Sequence, residues 1–357
     1  MAAENIIGAS ANNTVSAPDD VTSTMERIFI TGTFIMMWAI LITAAFGIVG
    51  NILNLIVYSK LGFSETIHMT YVAMAVSDLG CLLTLMWICL VYFSGTILAQ
   101  SDIQLDIPRV AGFTGSWPHN AFSRTTALLT AWVSLERCVC VMCPTRVKLI
   151  ITPRVTKIIL SAIFIIGCFP VAFVYVGLKT ELRLDPTRNQ TTLLMYYGNN
   201  NALSGPTTFA FSLYGVVYPV ASWATVLVCA AFLIAKLKQS ARWRHKNTQT
   251  ISGRGTTGNR QRTAASKREA QVTRTVIAIA CVFVFCTLPT STTVLIATVN
   301  REFSITGSLR VIVSFYGIVS FFLSGINSCS NIVVYSFTGS KFKSTLCSLF
   351  VKNRSST

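Results

Sequence analysis

Glu136 and Arg137 stand side by side in Trp132-Val133-Ser134-Leu135-Glu136-Arg137-Cys138-Val139-Cys140, at the end of a long apolar run. An acid and a base beside lipid are costly unless a neighbouring helix and water receive them, so such a pair is functional by default. Asp78 poses the same problem more deeply. It lies eleven residues into the run that starts at Ile67, about 16 Å at 1.5 Å per residue, near the bilayer midplane. A carboxylate there requires a cation, a proton or several donors. Along the run that holds Arg137, the residues His119, Ser123, Thr126, Thr130 and Arg137 fall within about 40° of one another at about 100° per residue. They form a polar stripe on one helix face. Back-bonding to their own helix is the competing reading for the hydroxyls, and a hydrogen bond to a neighbouring helix is the competing reading for His119. Arg124 points to the far side of that helix, toward the fourth or fifth helix or lipid, and the sequence offers it no partner. The chain holds three histidines and no convergent acid, base and nucleophile, so it reads as no enzyme. Cys138, Cys140 and Cys143 lack the further ligands of a metal site and read as free or lipidated thiols.

The elements that must position these residues are membrane helices. Hydrophobic residues make up 52% of the 357 and charged residues 12%, about half the roughly 25% of soluble domains. Seven stretches are long enough to cross about 30 Å of hydrocarbon: 28–58, 67–94, 108 or 118 to 142, 155–178, 207–237, 272–299 and 309–337. The fold class is therefore all-α, a seven-transmembrane bundle. The net charge of +16 is spread in a way that orients it. The N-terminal segment and every second loop after it carry seven Lys/Arg and nine Asp/Glu, whereas the alternate loops and the tail carry 21 and three. Excess Lys and Arg mark the cytoplasmic side, which puts the N-terminus outside and leaves the lipid bilayer, and no nucleic acid, as the partner of the charge. The polar start lacks the regions of a cleavable signal, so the first helix is expected to serve as its own insertion signal. Asn12 and Asn189 are glycosylation acceptors on the side assigned to the outside. None of the eleven cysteines lies in an outer segment, so the outer loops must be held without a disulfide.

Pro170, Pro219 and Pro289 interrupt the fourth, fifth and sixth spans, and the carbonyls they free need neighbours or water. In the seventh, Ser324, Asn327, Asn331 and Tyr335 follow spacings of three, four and four, a polar seam on one face. Phe342, Leu346, Leu349 and Phe350 continue at helical spacing among lysines, which predicts a short amphipathic helix on the inner surface, with Cys347 a candidate for palmitoylation. The chain divides into an extracellular tail, 1–26, a membrane domain, 27–337, and the amphipathic helix and cytoplasmic tail, 338–357. A basic inner loop, 238–268, is rich in Ser, Thr, Gly and Gln and is expected to be disordered. Its Gly253-Arg254-Gly255-Thr256-Thr257-Gly258 matches a dinucleotide fingerprint with no strand before it, an accidental match.

Gly50-Asn51, Ala75-Val76-Ser77-Asp78, Glu136-Arg137-Cys138, Phe283 with Cys286-Thr287-Leu288-Pro289, and Asn331-Ile332-Val333-Val334-Tyr335 followed by Phe342 occur in this order on the corresponding helices. In this the chain resembles the rhodopsin-like G protein-coupled receptors. The resemblance implies that Arg137 is a switch arginine, restrained by Glu136 and by Glu269 at the inner end of the sixth helix. Phe283, Pro289, Asn331 and Tyr335 would move with the switch. It also implies that Asp78, Asn51, Thr126, Asn327, Ser328 and Asn331 form a pocket for an allosteric sodium ion, with no other cofactor. A ligand site is implied in the outer halves of the second, third and seventh helices, at His119, Ser123, Trp87, Tyr92, Phe321 and Phe322. The partners implied are a heterotrimeric G protein and a small-molecule or peptide agonist.

Departures from the family pattern bear on the ligand end. Gly112 replaces the cysteine that usually ties the third helix to the second outer loop, Thr287 replaces the toggle tryptophan, Leu227 a tyrosine of the fifth helix, and Ile332 the proline of the seventh. The run from Glu136 through Cys143-Pro144-Thr145-Arg146 to Ile151-Thr152-Pro153-Arg154 is similar to invertebrate receptors, particularly molluscan chemosensory ones. The function implied is that of a chemosensory or neuropeptide-type receptor at the plasma membrane. A seven-helix channel or transporter is the rival reading, though the chain shows no inverted repeat. A signalling-incompetent partner subunit is another.

Overall fold

A computed structural model of the chain describes residues 19–98, 103–105, 107–144, 146–176, 178–185, 190–197, 205–248, 257–299 and 310–352. Asn12 and Asn189 lie outside them. Among the described residues, seven helical segments are long and apolar enough to cross a membrane: Arg27–Leu61, Thr66–Gly95, Arg109–Met142, Pro153–Tyr175, Gly205–Arg242, Ala270–Thr292 and Val311–Thr338. They are the spans read from the sequence. Ile28, Ile35, Ile42, Phe46 and Val49 are exposed along the first, the apolar outer face expected of a helix against lipid.

The caps are local chemistry. Gly62, at φ +79°, ends the first span in the left-handed conformation glycine adopts without strain. Thr152 caps the fourth, its hydroxyl accepting from the Val155 N–H at 3.3 Å, with Pro153 in the first turn. Two glycines let neighbouring spans approach the third closely. A Cβ on Gly80 would collide with the Phe122 ring, and one on Gly167 with the Thr125 hydroxyl, so the second and fourth spans press directly onto the third.

The prolines act as expected, with one refinement. Pro170 ends the helix Pro153–Cys168, and its missing N–H leaves the Ile166 carbonyl free. Tyr218 of the fifth span donates to that carbonyl at 2.8 Å, and Tyr214 donates to the Gly167 carbonyl at 2.9 Å. A π-helical turn, Leu213–Val217, immediately precedes Pro219. A second one, Gly112–Ser116, lies in the third span between the helices Ile107–Ala111 and Trp117–Met142. The third span thus starts before Gly112, and Pro118 does not open it.

Two expectations change. The inner loop is narrower than 238–268, because the fifth-span helix continues to Thr248 and the sixth-span helix starts at Thr257. Lys, Arg, Gln and Ala there are good helix formers, and a helix already nucleated in the membrane extends at little cost. Outside the bundle there is also a sheet. Strands β1 (Ile103–Leu105), β2 (Leu178–Asp185) and β3 (Gln190–Tyr197) take the order β1-β3-β2. The β2–β3 hairpin is antiparallel, pairing Leu178 with Tyr197 through Asp185 with Gln190, and β1 runs parallel to β3 from Ile103↔Thr191 to Leu105↔Leu193. All eleven cysteines are free. A backbone ladder between the first and second outer loops therefore joins what a disulfide does not, aided by Tyr175, which donates to the Phe113 carbonyl at 2.6 Å.

The inner end is closed by an apolar core that includes Val57, Leu129, Val133, Leu233, Val276 and Tyr335. The amphipathic helix, Ser340–Lys352, plugs into it through the buried Phe342, with Leu346 and Leu349 packed beside it and Cys347 exposed.

Candidate functional site

Three polar centres lie along the bundle, and the third span contributes to each. At the inner end, Arg137 Nη2 donates to Glu136 Oε1 at 3.0 Å. The second span completes the site: Thr66 donates to Oε1 at 2.6 Å and Thr70 to Oε2 at 3.3 Å. Glu136 is fully buried while the Arg137 side chain is 15% exposed, so three donors compensate a carboxylate that water does not reach. Arg137 Nε has no protein partner. Glu269 lies on the sixth-span helix, but its side chain is outside the described residues. The inner ends of the sixth and seventh spans are joined instead by Gln271 donating to the Thr338 carbonyl and Thr275 donating to the Thr338 hydroxyl at 2.7 Å.

The middle centre is Asp78, fully buried. Asn331 donates to Oδ2 at 2.7 Å and Thr126 to Oδ1 at 3.1 Å. These are the donors the depth of the residue demands. Asn51 contacts the group indirectly, donating to the carbonyls of Gly47 at 3.0 Å and Ser328 at 2.8 Å. Thr130 and Ser134 bond back to their own helix, so on the polar stripe the bland reading holds for Thr130 and fails for Thr126.

The outer centre is a small chamber of about 40 Å³ between the third, sixth and seventh spans. His119, Ser123 and Phe321 line it, as do Asn327 and Ser324 of the seventh-span seam. His119 is buried; its Nδ1 lies 3.2 Å from the Cys81 carbonyl and 3.4 Å from the Thr84 hydroxyl, and its ring meets Phe321 edge-on at 5.2 Å. The other three residues expected at the ligand site stand elsewhere. Trp87 is 47% exposed and donates to the Thr114 hydroxyl at 2.9 Å, while Tyr92 and Phe322 pack into an outer apolar cluster with Leu82 and Leu85. That difference is one of rotation about the second and seventh helices, which spacing along one helix does not define.

Arg124 requires a correction. It does not face the fourth or fifth helix or lipid but lines this same chamber, 6% exposed. Its long side chain reaches a cavity that its Cα direction alone does not indicate.

The seventh-span seam connects the centres: Ser324 and Asn327 at the chamber, Asn331 on Asp78, and Tyr335 at the inner end. Tyr335 is buried among Tyr58, Tyr71 and Phe342, with ring centroids 5.2, 4.7 and 5.5 Å away, and its hydroxyl has no protein partner. On the sixth span Phe283 is buried against Val226 and Ala127, and Pro289 lies inside the helix Thr257–Val299. Thr287, in place of a tryptophan, accepts from the indole of Trp223 at 2.9 Å. Thr66, Thr70 and Trp223 were not singled out from the sequence. All three contacts join different helices, at separations of 70, 66 and 64 residues, so no local pattern points to them.

Among the described residues no group of His, Cys, Asp and Glu is arranged to hold a metal ion. No curated protein matches the chain. The model of the family described as 7 transmembrane receptor (rhodopsin family) matches residues 50–335, which takes in all three centres and the helices that build them, and the chain belongs to that family of multi-pass membrane receptors.

Proposed function

We propose that the chain senses an extracellular ligand in the outer chamber and activates a heterotrimeric G protein at its inner end, in the manner of a chemosensory or neuropeptide-type receptor. The observation that carries this reading is the fastening of the inner end. Arg137 is held on Glu136, and Glu136 on Thr66 and Thr70, while Gln271 and Thr275 hold the sixth span to the seventh. Such contacts are what the resting member of a two-state pair would hold. Opening would free Arg137, give its Nε and the Tyr335 hydroxyl new partners, and part the third and sixth spans to form a cleft for the G protein. An agonist drives this by binding the open state better, with a coupling of typically 1–3 kcal/mol. The seam from Ser324 to Tyr335 supplies a continuous set of groups for that coupling.

The test is agonist-dependent nucleotide exchange on a purified G protein. Arg137→Ala is expected to abolish stimulated exchange while surface expression persists. Parental signalling in that variant would remove the switch role, and a ligand-evoked current without G protein would favour a channel.

The same reading assigns an allosteric sodium ion to Asp78. The carboxylate, the hydroxyls of Thr126 and Ser328 and the amide oxygens of Asn327 and Asn331 are the oxygen donors a hard cation takes, with Asn51 supporting Ser328 from the side. Sodium is expected to lower agonist affinity in the parent and not in Asp78→Asn, as read by agonist titration in sodium against N-methylglucamine buffer.

A further inference from the structure

We propose that the outer chamber takes the carboxylate of an acidic organic ligand, with Arg124 as its anchor. The inference rests on the chamber being the agonist site. It starts from an unbalanced charge. Arg124 is 94% withdrawn from solvent, at 6% exposure, its Nε has no protein hydrogen-bond partner, and among the described residues no ion pair reaches it. Among the described residues no Asp or Glu lines the chamber it enters. A buried charge without a partner is among the most expensive arrangements a fold can hold, and a guanidinium stays charged in proteins, so the cost is not escaped by losing a proton. A compensating anion that comes from outside the chain removes it.

The chamber selects among anions. A guanidinium fork matches the two oxygens of a carboxylate or a phosphate in a bidentate pair. Among the described residues Arg124 is the one Lys or Arg that lines this chamber, which balances a monoanionic carboxylate and leaves a phosphate dianion half compensated. The hydroxyls of Ser123, Thr290, Ser320 and Ser324 surround the same space and supply further donors to carboxylate oxygens. At about 40 Å³, against the roughly 10–15 Å³ of such space a water needs, the chamber has room for about three waters, which suits a head group and not a whole ligand. Phe283 and Phe321 border it, so the carbon next to the carboxylate meets apolar surface. An amine is disfavoured on the same grounds, since it would bring a second positive charge to a site with no acid.

Binding is tested on the full chain purified in detergent, by thermal unfolding at constant ionic strength. The probes are the sodium salts of acetate, butyrate, benzoate and succinate at millimolar concentration, their neutral amides, sodium chloride and sodium phosphate. At least one carboxylate is expected to raise the Tm by about 2–4 °C, and its amide is expected to do nothing. Arg124→Met should abolish the shift, and Arg124→Lys, which keeps the charge and loses the fork, should weaken binding roughly tenfold, or about 1.4 kcal/mol. No shift with any carboxylate, an undiminished shift in Arg124→Met, or an equal shift with the amides, chloride or phosphate would overturn the proposal. Nucleotide exchange is read separately on the same preparations. Carboxylate binding through Arg124 with no exchange would break the receptor reading and leave the anion site standing. Exchange driven by a neutral or cationic ligand at full strength in Arg124→Met would do the reverse.

Discussion

Arg137 lies at the inner end of the third span against Glu136, 3.0 Å away, and Thr66 and Thr70 of the second span complete the carboxylate's hydrogen bonds. Arg124 lies thirteen residues outward on the same helix, about 20 Å at 1.5 Å per residue, in a chamber of hydroxyls and rings with no acid among the described residues. Both are guanidinium groups in a membrane helix. The first has an acid beside it that the chain supplies, although its Nε, like that of Arg124, lacks a protein partner, and in the proposed function that pairing holds one of two states. The second is left incomplete by the chain, and its charge is available to something that arrives. In the proposed function the internally paired guanidinium is the switch and the unpaired one the contact with a ligand.

The two guanidinium groups should differ most in their effect on stability without ligand when each charge is removed in turn. Arg137→Met strands the buried Glu136 carboxylate, and removal of one partner of a buried pair costs about 3–5 kcal/mol, toward the lower end here because Arg137 is partly exposed. Its Tm should fall by several degrees. Arg124→Met removes a charge with no internal partner, and its Tm should rise, with a gain of about 1–2 kcal/mol. A fall in both would show that the chain supplies Arg124 with a partner, and the contrast would be lost.

A smaller effect sharpens the account of Glu136. Glu136→Gln keeps the size of the side chain and an acceptor for Thr66 but removes the charge that holds Arg137. Basal nucleotide exchange should rise about tenfold, which corresponds to about 1.4 kcal/mol of the resting-state preference. Thr66→Ala, which deletes one donor at 2.6 Å, is expected to raise basal exchange by the least, about threefold, since Thr70 and Arg137 still compensate the carboxylate. An unchanged basal rate in both variants would mean that Glu136 orients Arg137 without restraining it.

Much of this architecture is legible in the residues. The spans, the closing role of Phe342 and the seam through Asn331 follow from hydropathy and helical spacing, which are properties of one helix at a time. The need of Asp78 for several donors also follows, because depth in a membrane sets the cost whatever the neighbours are. The prolines are intermediate: the freed carbonyl at Ile166 is implied by Pro170 alone, whereas Tyr218 as its donor is not. The outer sheet is less legible still. Its strands are short and lie in separate loops, and the pairing of β1 with β3 joins residues that no local pattern links. The absence of outer cysteines shows that some other fastening is needed and does not say which.

Rotation of each helix against the others was decided by the tertiary structure alone. It carried Trp87, Tyr92 and Phe322 away from the chamber, kept His119, Ser123 and Phe321 on it, and brought Arg124 in from the direction opposite to the one its position suggested. The sequence by itself determined that seven helices cross, which end faces the cytoplasm and which charges are too deep to be idle, since burial in lipid is priced residue by residue. Where those charges meet, and which of them has an acid beside it, depends on how long side chains pack across helices distant in the chain, and no single stretch contains that information.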